Sequence, residues 1–116
     1  MINVNLMRNK TTFTFSAYVP SSSTSNLAGM GAFSIRVKPD NGNVSTIAGA
    51  FIDVSGGNKQ YIAFSDKAGT AEAVKIVRDT WQTFTVDISA ISADCTEFSF
   101  IIAQGNTIYL KDLAFN

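Results

Sequence analysis

The residues of this chain best suited to contact a ligand are its polar aromatics, Tyr18, Tyr61, Trp81 and Tyr109. Each pairs a flat apolar ring with a polar tip, and such a ring on an exposed surface can stack on the apolar C–H face of a pyranose while nearby polar side chains reach its hydroxyls. Arg36, Lys38, Gln60, Gln82, Gln104 and Asn106 are the donors and acceptors that could serve those hydroxyls. At ~100 Å² of apolar area per stacked ring and ~25 cal/mol/Å², one stack contributes roughly 2.5 kcal/mol before the losses on association. Two or three stacks therefore support a dissociation constant in the roughly millimolar to micromolar range.

Catalysis is hard to assemble from the same inventory. The chain has no histidine, which removes a Ser-His-Asp triad and a Cys-His pair, and Cys95, the single cysteine, has no activating base and no disulfide partner. The acids are Asp40, Asp53, Asp66, Glu72, Asp79, Asp87, Asp94, Glu97 and Asp112. A paired-carboxylate hydrolase needs two of them about 5–9.5 Å apart in a cleft, but most lie at turns or strand ends, where charges are ordinarily solvated. The glycines fall in turns and none opens a helix, so no phosphate-cradling loop is present. The reading is a binding domain, not an enzyme.

The elements that hold these residues follow from a period of two. In Thr12 to Val19, TFTFSAYV, Phe13, Phe15, Ala17 and Val19 share one side, and Thr12, Thr14, Ser16 and Tyr18 the other. Phe33, Ile35 and Val37 repeat the pattern, as do Phe84, Val86 and Ile88, and again Phe98, Phe100 and Ile102. On this parity most phenylalanines face the core, with Tyr18, Trp81 and Tyr109 opposite; Tyr61 and Phe51 can be read either way. Trp81, at the start of a strand, can equally serve to cover a sheet edge.

Strands are predicted near 2–7, 11–19, 31–38, 45–54, 59–65, 72–77, 80–88, 96–103 and 107–115, with 66–73 the best helical candidate. Pro39-Asp40-Asn41-Gly42, Ser55-Gly56-Gly57-Asn58 and Gln104-Gly105-Asn106 are read as hairpin turns. Many short strands, each with one apolar face, predict an all-β, antiparallel two-sheet β-sandwich of jelly-roll type spanning residues 1–116 as one domain. In the last strand Ile108 and Leu110 share one parity while Leu113 and Phe115 continue on the other, which predicts a bulge near Lys111 and Asp112 that turns the Asp112 carboxylate toward the sheet edge.

At 116 residues the chain suffices for one core, and 46% hydrophobic against 16% charged residues is a folding composition. Nine Lys and Arg balance nine Asp and Glu without clustering, which argues against nucleic acid and anionic membrane as partners. Neither a membrane span nor a signal peptide is read.

Three segments, DTWQTFTVDIS at 79–89, EFSFIIAQ at 97–104 and GNTIYLKDLAF at 105–115, resemble the C-terminal half of a jelly-roll carbohydrate-binding module. These are the galactose-binding-like β-sandwiches appended to plant-polysaccharide glycoside hydrolases, and TFTFSAYV resembles one of their earlier strands. The resemblance implies a non-catalytic monomeric module in a larger secreted chain, binding an oligosaccharide or a polysaccharide of β-glucan, xylan or mannan type. It also implies a structural calcium with Asp112 among its ligands, and glycan bound either across a sheet face or at the loops of one edge. The alternative expectation is a saccharide-contacting structural or adhesion domain of a phage tail or cell-surface assembly.

Overall fold

A computed structural model describes residues 2–23, 32–39, 50–52, 60–66, 74–89, 95–102 and 105–116; the side chains of Pro39, Ala50, Phe51, Ile52, Gln60 and Tyr61 lie outside that description. After a 3₁₀ turn at Val4–Met7 the strands are β1 (Thr12–Tyr18), β2 (Phe33–Pro39), β3 (Ala50–Ile52), β4 (Gln60–Ser65), β5 (Val74–Lys75), β6 (Trp81–Asp87), β7 (Cys95–Ile102) and β8 (Tyr109–Phe115). They form two packed sheets, one ordered β6-β1-β8 and the other β3-β4-β2-β7 with β5 beside β4. The all-β sandwich expected from the alternation is the fold, and every pairing is antiparallel except the short β4–β5 contact. Among the described residues, no helix is long and apolar enough to cross a membrane.

Phenylalanine makes the core, and Phe13, Phe15, Phe33 and Phe98 lie on the parity read from the sequence. Phe13 and Phe15 descend from β1, and Phe33, Phe64 and Phe98 rise from the facing sheet, all at most 1% exposed. Phe33 and Phe64 stack at 4.5 Å between centroids, and Phe15 meets both edge-on at 6.2 and 5.6 Å. Such offset and edge-to-face contacts suit the ring quadrupole and add to the area term.

Three expectations are corrected. The segment 2–7 is no strand: the Asn3 side chain accepts from the Asn5 N–H at 3.0 Å and starts a 3₁₀ turn that sends Met7 into the core. The alternation of Ile2, Val4 and Leu6 imitates a strand, but an Asn that bonds its own backbone two residues on favours a turn. The Gln104-Gly105-Asn106 turn, with Gly105 at φ 88°, is no hairpin, since it carries the chain from β7 in one sheet to β8 in the other. Nor are β2 and β3, which flank Pro39 to Gly42, neighbours; β3 and β4, which flank Ser55 to Asn58, are. Residues 40–42, 55–58 and most of the helical candidate 66–73 lie outside the described residues.

The bulge is where the parity change put it. Thr14 pairs with Ala114 and Ser16 with Lys111, so β8 carries one more residue than β1 between the pairs, and Asp112 takes up the turn at φ 57°. An aspartate tolerates that left-handed conformation better than most residues.

Candidate functional site

β1 is the middle strand of the three-stranded sheet, and its register lines up the outward aromatics. Tyr18, the last residue of β1, lies opposite Trp81, the first of β6, and opposite Tyr109, the first of β8. Ring centroids are 5.8 Å apart for Tyr18–Trp81 and 6.0 Å for Tyr18–Tyr109, with interplanar angles of 57° and 68°. The three rings form a ridge across the end of the sheet, not a flat platform. Trp81 is 44% and Tyr109 53% exposed, an unusual exposure for side chains of this size and enough for a ligand to reach both.

Two residues inward, the next row on the same face is Thr83, Ser16 and Lys111. Ser16 and Thr83 share a hydroxyl–hydroxyl hydrogen bond of 2.9 Å. The Lys111 ammonium lies 4.2 Å from the centroid of the Trp81 ring, so the side chain crosses from β8 over β1 to β6. That span accounts for Ser16 being only 6% exposed although it points away from the core. Sequence reading missed Lys111; a cation opposite Ser16 in a neighbouring strand becomes visible only once β1 and β8 are paired.

The loops at this end are tied down by polar contacts. The Asp79 carboxylate accepts the Ser21 N–H at 2.9 Å and the Ser21 hydroxyl, and the Asp79 N–H donates to the Val19 carbonyl at 2.9 Å. The Arg78 guanidinium pairs with Asp66 at 2.8 Å and donates to the carbonyls of Pro20 and Ser23. Residues 19–23, which follow Tyr18, are thereby fixed to the segment that precedes Trp81.

Three carboxyls are held below their ordinary pKa of 3.8: Asp66 chiefly by the Arg78 hydrogen bond, Asp79 by the hydroxyl and amide of Ser21, and Asp87 by those of Ser89. Because the folded values are the lower ones, the unfolded chain takes up protons first as pH falls. The stability these groups contribute is full above about pH 5 and is lost as pH drops through 3.8 toward the folded values. An Asp66→Asn, Asp79→Asn double variant is therefore expected to melt below the wild type at pH 7 and to converge with it by about pH 2, as read by thermal denaturation followed by circular dichroism. A gap that stays constant with pH would contradict this.

The other predicted ligand residues are elsewhere. Arg36, Gln60 and Tyr61 belong to β2 and β4 of the five-stranded sheet, with Arg36 opposite Tyr61 and in an ion pair with Glu97 at 2.8 Å. Lys38 is on β2 as well, opposite Glu97. Gln82 pairs with Ala17 on the core-facing parity, where its side-chain oxygen accepts the Val77 N–H at 2.8 Å. Asn106 stands in the crossing that leads to Tyr109, half-buried, its Nδ2 without a hydrogen-bond partner. Gln104 lies outside the described residues.

Asp112 is exposed on β8, an edge strand. Calcium takes six to eight oxygen ligands, and among the described residues no group of three or more His, Cys, Asp and Glu side chains comes together there or elsewhere. No family model, curated protein sequence or solved structure matches this chain.

Proposed function

We propose that this domain is a non-catalytic carbohydrate-binding module of jelly-roll type that recognises a polysaccharide through Tyr18, Trp81 and Tyr109, as part of a larger secreted protein. The observation that carries the reading is the ridge of three outward rings, neighbours on one open sheet face. Sugars stack on such rings because their C–H faces are apolar, and a chain of sugars can engage more than one ring at once. The tilt between the rings suits a ligand that twists along its length better than a flat crystalline surface.

Affinity electrophoresis through gels containing glucan, xylan, mannan or pectin tests the reading. Retardation in at least one gel, reduced by Trp81→Ala or Tyr109→Ala in a folded protein, is the expected result; migration unaffected by every polymer would remove the proposal. Structural calcium at Asp112 belongs to the same proposal and is tested separately. A chelator is expected to lower the melting temperature of the wild type and to leave that of Asp112→Ala unchanged, since an ion that binds only the folded state stabilises it by mass action. Equal melting with and without chelator would exclude the ion.

A further inference from the structure

We propose that the ligand of the aromatic ridge is an acidic polysaccharide whose uronate carboxylate is received by Lys111; the inference rests on the carbohydrate-binding reading above and specifies its substrate class. Among the described residues, Lys111 is the cation in the row beside the rings, and no ion pair engages it. The other charges nearby are already committed: Arg78 to Asp66, Asp79 to Ser21, and Asp87, at the far end of β6, to Ser89. Asp112 follows in the bulge, outside the row of rings.

The position of the ammonium decides between neutral and acidic sugars. It rests 4.2 Å from the Trp81 ring centroid, on the surface a sugar would need for stacking. A neutral sugar that takes this ring displaces the ammonium and offers it only uncharged hydroxyl acceptors in exchange for the cation–π attraction. A uronate frees the ring in the same movement and supplies a charge-assisted hydrogen bond to the displaced ammonium. The apolar face of the sugar meets Trp81 and Tyr18 while its carboxylate turns toward β8. A polymer with a carboxylate on successive residues offers this arrangement in every register, which raises the apparent affinity without a further contact. The neutral β-glucans and mannans that the resemblance implies offer Lys111 only the weaker bonds of uncharged acceptors.

The test is affinity electrophoresis of the intact domain at low ionic strength, with polygalacturonate, alginate, neutral β-glucan, mannan and dextran sulfate at equal loads. The uronate polymers are expected to retard the wild type most, and added salt to weaken the retardation. Lys111→Met, which keeps an unbranched apolar stem over Ser16, is expected to reduce affinity for uronates by roughly two- to fivefold, the range for an exposed charge pair. Lys111→Arg is expected to restore it, and Lys10→Met to leave it unchanged. Neutral polymers retarding as strongly as uronates, or Lys111→Met binding uronates like the wild type, would overturn the inference and leave carbohydrate binding standing. Dextran sulfate retarding as strongly as the uronates would overturn the assignment to a carboxylate. Free migration in every gel would remove both the inference and the reading beneath it.

Discussion

Phe15→Ala is expected to destabilise the domain by about 3–5 kcal/mol, the range for a fully buried phenylalanine, and so to consume a large part of the ~5–15 kcal/mol that holds a domain folded. Phe15 is 0% exposed and sits in β1, the middle strand of its sheet. Its ring is within 5.2–6.2 Å, centroid to centroid, of Phe33, Phe64, Phe84 and Phe100, and 5.4 Å from Phe13. Those rings come from both sheets, so their backbones hold the cavity open, and a cavity that cannot collapse costs the lost contacts as well as the transfer energy. Phe115→Ala removes the same chemistry from a half-buried site in an edge strand and is expected to cost clearly less. Urea denaturation of the three proteins measures both. A Phe15→Ala loss below about 1.5 kcal/mol would mean that the core repacks around the gap.

The fold was legible in the sequence as far as side-chain alternation reaches. Phe13, Phe15, Phe33 and Phe98 on the inner parity, and Tyr18, Trp81 and Tyr109 on the outer, are consequences of a pleat that turns successive side chains to opposite faces. The bulge was legible for the same reason, because Leu110 and Phe115 cannot both face the core unless one residue is absorbed between them. Alternation carries no information about which strand lies beside which. It left open whether Tyr18 and Tyr109 share a sheet, and it put Arg36, Gln60 and Tyr61 in the same candidate set as Tyr18 although they belong to the other sheet. Turn chemistry has a similar blindness: Gly105 at φ 88° serves a crossing between sheets as well as it would serve a hairpin. At the N-terminus a local bond, from the Asn3 side chain to the Asn5 N–H, overrode a strand-like pattern too short to compete.

The row of rings exists because β1 pairs with β6 on one side and β8 on the other, and this makes Tyr18 the residue whose loss matters most for binding. It is the shared neighbour of Trp81 and Tyr109. Tyr18→Ala removes the central contact and leaves the two outer rings without the partner that fixes their tilt. Affinity for the retarding polysaccharide is expected to fall at least tenfold, about 1.4 kcal/mol, which is within what one stacked ring contributes. The fold should survive, because Tyr18 is only half-buried at the end of its strand and the aromatic pair terms at stake are about 0.5–1.5 kcal/mol each. Tyr18→Phe keeps the ring and is expected to retain most of the binding. Tyr61→Ala alters a residue of β4, in the other sheet, and is expected to bind like the wild type. Affinity electrophoresis of the three variants, with melting temperatures to confirm folding, separates the two faces of the sandwich. Loss of binding in Tyr61→Ala with retention in Tyr18→Ala would move the ligand to the five-stranded sheet and leave the ridge a structural cover.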